Sequence, residues 1–268
     1  MQSIDLTHPD THLILLTGAG TSAESGIPTY RAMNGLWRTH SIQEVATAYG
    51  FLNDPALGWR FYSERRVDAL AARPNAGHLA IAAIEERLGD RFLLVTQNID
   101  GLHQRAGSRR VIELHGNLLH SRCTACERPA FRDERLYTEL PLPLCDLCAD
   151  KDSPGMIRPA VVWFGEAIQG ADMARVERFM ERAPRGHLVF MAAGTSGVVT
   201  PASAFVEDAK RLGAETWLVN LDRPENVGYF QNVVLGASGA ILPKLFYVEQ
   251  VLSPNDVVVH PDRRLRRR

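Results

Sequence analysis

Four short apolar runs, each followed by a polar or glycine-rich turn, recur along the chain and predict strands at residues 12–17, 92–96, 187–192 and 215–220. Apolar runs of this length are typical of parallel strands that are covered on both faces. Amphipathic stretches between them predict helices at 54–72, 76–88, 171–182 and 201–212, with Asn75 as an N-cap and Gly89 as a helix stop. Strands that alternate with helices predict an α/β fold built on a doubly wound, Rossmann-like parallel sheet.

Residues 118–158 break this rhythm and predict a smaller module inserted into the α/β fold. The segment has little periodicity, and it carries four prolines and every cysteine of the chain. A module of about 40 residues is too small to fold on apolar burial alone. A bound metal can supply the missing free energy, which is on the order of 10 kcal/mol in small metallo-domains.

The four cysteines form two pairs, Cys123-x-x-Cys126 and Cys145-x-x-Cys148. Two such pairs can present four thiolates to one Zn²⁺ ion as a tetrahedral, structural site. Two disulfides, or four unrelated buried cysteines, are the alternatives. A site closed by four cysteines leaves the metal no open position, so the catalytic groups are expected elsewhere.

Bulk properties exclude several classes of protein. The net charge is −1 over 268 residues, so we expect no nucleic-acid partner. The chain has no apolar stretch of membrane-spanning length and no secretory signal at its start, which predicts a reducing, cytoplasmic location and no membrane association. The basic run at 263–268 is interpreted as a solvated tail, with an acidic partner as the alternative.

Two glycine-rich turns follow predicted strands and are candidates for a dinucleotide site. Residues 18–23 match G-x-G-x-x-A, the phosphate-binding turn of a Rossmann unit, although an ordinary tight turn has the same pattern. No second strand ending in an acidic residue follows about 20 residues later, which disfavours a hydride-transfer dehydrogenase. The second turn, at 194–197, follows the strand predicted at 187–192, and the two turns can converge on one ligand.

An ordered set of motifs completes the pattern: Gly18-Ala-Gly-Thr-Ser22, Gly26-Ile-Pro-Thr-Tyr-Arg31, Thr96-Gln-Asn-Ile-Asp100, Leu114-His-Gly-Asn117, the cysteine pairs, Val162-Trp-Phe-Gly-Glu166, Gly194-Thr-Ser196 and Val219-Asn220. Over residues 11–250 the chain resembles the sirtuins, the Sir2 family of NAD-dependent protein lysine deacylases. The expected division is an NAD-binding domain formed by 1–31, 75–117 and 159–268, a helical insertion at 32–74, and a zinc module at 118–158.

The resemblance implies a role for each matching residue. His115 would be the general base, with Asn98 and Asp100 as further catalytic residues. Residues that would contact NAD are Gly18, Ala19, Gly20, Ser22, Tyr30, Arg31, Gln97, Asn98, Asp100, Gly194, Ser196, Asn220 and Ser238. Tyr30 stands where the family usually has phenylalanine. Val162 and Phe164 would bind the acyl-lysine of a substrate peptide that pairs as an extra strand. Asp100 alternatively caps the helix that begins near it.

The implied reaction consumes NAD as a co-substrate. The acyl oxygen attacks the anomeric carbon of the ribose and expels nicotinamide, and a base then activates a ribose hydroxyl. Histidine has an unperturbed pKa that suits this base. The products would be nicotinamide, free lysine and O-acyl-ADP-ribose. His12, His78, His103, His120 and His187 are predicted to be structural.

Tyr62 and Arg65 lie three residues apart in a predicted helix, and therefore on one of its faces. A phenol beside a guanidinium can bind a carboxylate. The Tyr-x-x-Arg pattern matches the sirtuin subgroup that removes succinyl, malonyl or glutaryl groups, so we expect these acyl groups to be preferred over acetyl. The alternative is an exposed charged helix face.

Two other functions use the same features. A mono-ADP-ribosyltransferase would transfer ADP-ribose to a protein side chain, and a non-catalytic protein could sense NAD around a zinc scaffold. The expected partners are acylated lysines of proteins or peptides, and the expected oligomeric state is a monomer.

Overall fold

The structure is a computed structural model, and it describes residues 4–29, 40–148, 154–197, 199–200 and 202–246. Its central feature is a six-stranded parallel sheet with the strand order β3-β2-β1-β7-β8-β9. These strands are β1 His12–Thr17, β2 Phe92–Thr96, β3 Val111–Glu113, β7 Leu188–Ala193, β8 Glu215–Asn220 and β9 Asn232–Leu235. The predicted doubly wound parallel sheet is therefore confirmed.

A second, three-stranded antiparallel sheet has the order β5-β4-β6, with β4 Gly116–Cys123, β5 Phe131–Arg132 and β6 Ile157–Val161. The helices of the described chain are α1 Ile42–Val45, α2 Ala48–Asn53, α3 Pro55–Ala71, α4 Ala76–Leu88, α5 Leu102–Arg105, α6 Gly170–Arg182, α7 Phe205–Arg211 and α8 Ser238–Leu245. Short 3-10 turns cover Ala19–Thr21 and Ala23–Ser25. None of the helices within the described ranges is long and apolar enough to cross a bilayer.

Local chemistry fixes the ends of α4. The Asn75 side chain accepts hydrogen bonds from the backbone of Gly77 at 2.9 Å and of His78 at 3.3 Å. At the other end Gly89 takes a positive φ of 58°, a conformation that favours glycine. The predicted N-cap and helix stop are both confirmed.

Each face of the parallel sheet is covered by helices. On one face Ile14 and Leu16 of β1 pack with Phe179 of α6 and Phe205 of α7. On the other face Leu13 and Leu15 pack with helices α4 and α8, through residues such as Ile81 and Leu242. The alternation of side chains along β1 thus supplies both cores, which explains why every position from Leu13 to Leu16 is apolar.

The strand order places β1 and β7 side by side at the centre of the sheet. Strands β2 and β3 extend the sheet on one side of β1, and β7, β8 and β9 form the half on its other side. Ligands of open α/β sheets bind at such a topological switch point, beyond the carboxyl ends of the strands. The two glycine-rich turns follow these two strands.

The three-stranded sheet packs with α1–α3 around a third core that includes Trp59, Tyr62 and Trp163. Arg66 of α3 is fully buried there and donates to the carbonyl oxygens of Leu118 and His120. A charged side chain thus joins the helical insertion to the antiparallel sheet. The guanidinium also donates to the Arg135 carbonyl oxygen and to the Ser121 hydroxyl, so it holds the fold together and does not form part of an exposed charged face.

Candidate active site

The two glycine turns are in direct backbone contact at the switch point. Gly20 donates its backbone N–H to the carbonyl oxygen of Gly194 at 2.8 Å. A Cβ on Gly18 or on Gly20 would lie 2.8 Å from that same oxygen, and a Cβ on Gly194 would lie 2.4 Å from the nitrogen of Thr21. The two turns can approach this closely only because these positions lack side chains. The result is a bare backbone surface, with Ala19 exposed, of the kind that accepts a pyrophosphate.

Behind the first turn lies a buried cluster formed by Asn98, Ser22 and Asp100. The Asn98 Nδ2 atom is within hydrogen-bonding distance of the Gly18 carbonyl oxygen (3.1 Å), Thr21 Oγ1 (3.0 Å) and Ser22 Oγ (3.2 Å). Ser22 Oγ donates to Asp100 Oδ2 at 2.7 Å. Side chains from the loop after β2 therefore hold the glycine turn in place.

Asp100 has two hydrogen-bond donors. Besides Ser22, the backbone N–H of Leu102 donates to Asp100 Oδ1 at 2.9 Å, so the carboxylate also holds the start of α5. Burial raises the pKa of the Asp100 carboxyl, and the hydrogen bonds from Leu102 and Ser22 oppose that shift. The carboxylate thus supports the first glycine turn through Ser22 and, as considered from the sequence, also holds the helix that begins near it.

His115 is oriented by the backbone that directly follows β2. Its Nδ1 atom lies 3.0 Å from the carbonyl oxygen of Gln97. A carbonyl oxygen only accepts, so Nδ1 carries the hydrogen and Nε2 keeps its lone pair. Burial lowers the pKa of His115 below 6.5, while the hydrogen bond to Gln97 acts in the opposite direction. The ring is therefore neutral at physiological pH and can accept a proton.

A continuous set of hydrogen bonds links Gln97, after β2, to Asn220 at the end of β8. Thr195 Oγ1 donates to Gln97 Oε1 at 2.9 Å, and Asn220 Nδ2 donates to the Thr195 carbonyl oxygen at 3.0 Å. The half-buried Ser196 follows in the same turn. The structure thus brings the candidates at the ends of β2, β7 and β8 to one edge of the sheet.

Ser238 lies at the start of α8 and is buried. The next residue, Gly239, donates its backbone N–H to Glu24 at 2.7 Å, which holds α8 against the segment after the first glycine turn. Tyr30 and Arg31, the other two candidates of that segment, lie outside the described residues.

The candidate substrate segment begins directly after β6. Val162 donates its backbone N–H to the His115 carbonyl oxygen at 2.9 Å, and Phe164 donates to the Ala46 carbonyl oxygen at 3.0 Å. Val162 is half-buried, and the Phe164 side chain is 55% exposed. An exposed phenylalanine two residues beyond the backbone contact with His115 is available to contact a substrate.

The two candidates for the acyl pocket are nearly buried on α3. Tyr62 is 2% exposed, and its hydroxyl oxygen accepts a hydrogen bond from the Trp163 indole at 2.8 Å. The Arg65 side chain is 13% exposed, with Nε 3.5 Å from Asp68 Oδ2 and the guanidinium over the ring of Phe61. An ordinary exposed charged face would not bury its arginine to this extent.

The four cysteines converge on one point. Cys123 and Cys148 have sulfur atoms 3.7 Å apart, Cys126 and Cys145 have theirs 3.9 Å apart, and all four lie within 4.8 Å of one another. A Zn–S distance near 2.3 Å corresponds to a tetrahedron with edges of about 3.8 Å. The cysteines carry no disulfide. Their arrangement fits a structural Zn²⁺ site, and the disulfide alternative is excluded.

Comparison with known proteins agrees with this site. The sequence model of the Sir2 family matches residues 18–201. The chain belongs to the Sir2 family. The match begins at the first glycine turn and includes the cysteine pairs, His115 and the second glycine turn.

Curated relatives have this family's enzyme name. A protein of Salmonella typhimurium called NAD-dependent protein deacylase is 45% identical over 235 residues, which are 87% of this chain and 81% of the relative. A protein of Vibrio parahaemolyticus with the same name is 40% identical over 250 residues, which are 92% of this chain and 98% of the relative.

Solved structures of the family superpose on the chain. A Sir2 homologue in complex with NAD is 40% identical, with a TM-score of 0.79, over 90% of this chain and 91% of the homologue. A Sir2 protein with a deacetylated p53 peptide and 3′-O-acetyl-ADP-ribose is 31% identical, with a TM-score of 0.74, over 88% and 92% of the two chains.

Several side chains of this Sir2 site were not singled out from the sequence. Thr195 and Thr21 lie inside the quoted motifs, but only the structure reveals their contacts to Gln97 and Asn98. A buried series of hydrogen bonds also supports Asn98. His103 Nε2 lies 2.9 Å from Thr17 Oγ1, and Thr17 Oγ1 donates to Thr96 Oγ1. Thr96 Oγ1 in turn accepts a hydrogen bond from the backbone N–H of Asn98. His103 is thus structural, as predicted, and it lies directly behind the site.

Proposed function

We propose that this Sir2 family member is an NAD-dependent protein lysine deacylase that prefers acyl groups ending in a carboxylate, such as succinyl and malonyl, over acetyl. The overall reaction is acyl-lysine, NAD and water to lysine, nicotinamide and O-acyl-ADP-ribose. The deacylase activity is the one that its curated relatives are named for. The acyl preference depends on α3.

NAD would be held at the switch point of the sheet. The glycine turns after β1 and β7 would receive the pyrophosphate, because their backbones meet with no side chain between them. Asn98, Asp100 and Gln97 would line the nicotinamide and its ribose, with Asn220 and Ser238 near the adenosine. The hydrogen bonds of Asp100 with Ser22, of Gln97 with Thr195 and of Asn220 with Thr195 support one continuous site.

His115 would act as the general base for a ribose hydroxyl. Its tautomer, fixed by Gln97, leaves Nε2 as the proton acceptor. The substrate lysine would reach the ribose between Val162 and Phe164, and the peptide would pair as an added strand with the backbone of residues 162–166. The complex of a Sir2 protein with a deacetylated peptide supports a peptide substrate.

The observation that carries the acyl preference is the burial of Arg65 beside Tyr62 on α3. A guanidinium that is already removed from most of the solvent binds a carboxylate more strongly than an exposed one. The same helix carries Arg60, which is exposed and offers no such site. The ion pair of Arg65 with Asp68 means that an acyl carboxylate would compete with a carboxylate of the protein.

The test is mass spectrometry of the products formed from acetyl-, malonyl-, succinyl- and glutaryl-lysine peptides with NAD. We expect O-acyl-ADP-ribose and free lysine, with a higher kcat/KM for succinyl than for acetyl. The Arg65→Met variant should reverse that order, whereas Arg60→Met should keep it. Equal loss of both activities in Arg65→Met would contradict the pocket. A peptide that gains ADP-ribose without losing its acyl group would indicate an ADP-ribosyltransferase.

We also propose a cytoplasmic location. Four thiols gathered at metal-binding distance persist in a reducing compartment, whereas an oxidising one favours disulfides.

A further inference from the structure

Trp163 connects the candidate substrate segment to the candidate acyl pocket. It lies between Val162 and Phe164, and alternation along an extended segment directs its side chain away from theirs. The indole is buried in the third core, where its Nε1–H donates to the Tyr62 hydroxyl at 2.8 Å. Tyr62 and Trp163 are 101 residues apart in the sequence, so only the fold brings them together.

The indole is held in a fixed orientation. The guanidinium carbon of Arg158 lies 3.2 Å from the centroid of the Trp163 ring. Glu166 binds that guanidinium through both carboxylate oxygens, at 2.5 and 3.1 Å, and also accepts the backbone N–H of Trp163 at 2.9 Å. The ring of Phe51 packs near the indole with a centroid distance of 5.0 Å. This packing leaves the Nε1–H little freedom to turn away from Tyr62.

The direction of the hydrogen bond determines what the Tyr62 hydroxyl can do. An indole N–H only donates, so the Tyr62 oxygen is the acceptor, and the phenolic hydrogen is left for another group. Within the part of the chain that the structure describes, the Tyr62 hydroxyl makes no hydrogen bond besides the one from Trp163, so that hydrogen has no acceptor. A buried donor without an acceptor is costly. Burial also raises the pKa of Tyr62, so the hydroxyl stays protonated.

We propose that Trp163 is a positioning residue for acyl specificity. By occupying the acceptor side of the Tyr62 hydroxyl, it commits the phenolic hydrogen to the carboxylate of a succinyl or malonyl group. An acetyl group has no carboxylate at that distance and gains nothing from the arrangement. The inference rests on the proposed function of Tyr62 and Arg65, and it adds a residue outside the Tyr-x-x-Arg pattern.

The experiment is a double-mutant cycle on the ratio of desuccinylase to deacetylase kcat/KM, with the variants Trp163→Phe, Tyr62→Phe and the double variant. Trp163→Phe removes the N–H and keeps an aromatic ring. We expect it to lower the ratio about fivefold, the size of one neutral hydrogen bond. The loss should lie in KM for the succinyl peptide. The double variant should have the ratio of Tyr62→Phe alone, because the indole acts only through the hydroxyl.

The ratio cancels any inactive fraction of a preparation, since both substrates are measured on the same sample. If Trp163→Phe does not fold, Trp163→Leu also lacks the N–H and completes the same cycle. A ratio that stays at the wild-type value in the position 163 variant, or effects of the two single variants that multiply, would overturn the inference and leave the proposed function intact. A Tyr62→Phe ratio equal to the wild-type value would instead overturn the role of Tyr62 itself, and the inference with it.

Discussion

The imidazole of His115 is held by the backbone of Gln97, with Nδ1 and the carbonyl oxygen 3.0 Å apart. No side-chain substitution can remove that acceptor, so the tautomer is built into the fold. The same carbonyl sets Nε2 as the basic nitrogen, while burial keeps the ring neutral. The contact therefore sets the orientation and tautomer of the candidate base, and burial sets its protonation state.

The pH dependence of catalysis should follow from the burial of His115. We expect kcat/KM for an acetyl-lysine peptide to fall with decreasing pH as His115 becomes protonated, with a midpoint below 6.5, because burial lowers the folded-state pKa. Stability should also fall as pH drops through 6.5, since the unfolded chain then binds a proton that the folded chain resists. Rates must therefore be measured only at pH values at which the thermal unfolding curve shows that the protein is folded at the assay temperature. A midpoint above 6.5 would contradict the assignment, and His115→Tyr should leave no turnover at any pH.

The contact between the two glycine turns leads to a prediction for NAD binding. In Gly20→Ala the new Cβ would lie 2.8 Å from both Cα and the carbonyl oxygen of Gly194, so the turns must separate. We expect the Kd for NAD, measured by calorimetry, to rise at least tenfold, which corresponds to about 1.4 kcal/mol. Gly170→Ala is the matched control, because a Cβ at Gly170 meets no atom within 4 Å. Similar affinities in the two variants would disprove the role of the turn.

Much of the fold could be predicted from the chain because its central strands contain unbroken apolar runs. Strand β1 has its predicted bounds, and β7 starts one residue later than predicted. By contrast, β3 is three residues long and follows Arg109 and Arg110, so no pattern distinguished it from a loop. It forms because it pairs with β2.

For the candidate site, the sequence predicted many of the residues but few of the contacts between them. Motifs indicated that His115 and Gln97 belong to the candidate site. Their contact could not be predicted, because it depends on two neighbouring strands that position a ring beside a carbonyl group. Trp163 belongs to a quoted motif, yet its partner Tyr62 is on a helix distant in sequence. The burial of Arg66 could not be predicted, because charge normally indicates exposure. Such long-range hydrogen bonds have no local signature.

Removal of the metal should affect stability before chemistry. Cys145 is buried, and its sulfur lies 3.9 Å from that of Cys126, within the four-sulfur cluster. We expect Cys145→Ala, or chelation of the wild-type protein, to lower Tm by several degrees. Chelation of the wild-type protein should release about one zinc per chain, measured by a colorimetric chelator. At a temperature where the variant remains folded, kcat should change less than twofold. A large loss of kcat without a change in Tm would argue for a catalytic metal.

The buried guanidinium of Arg66 should be essential for stability. Its side chain is 0% exposed, Nε donates to Leu118 at 2.9 Å, and Nη1 lies 3.6 Å from the equally buried Asp133. Arg66→Met would leave buried acceptors unpaired, and we expect it to lower the free energy of unfolding by about 3–5 kcal/mol. Arg132→Met removes an arginine that is 77% exposed and pairs with Glu134, and it should cost less than about 1 kcal/mol. Urea unfolding followed by circular dichroism measures both variants. Equal losses would mean that the carbonyl acceptors around Arg66 find solvent in the variant, and that the link between α3 and the antiparallel sheet is made by apolar packing alone.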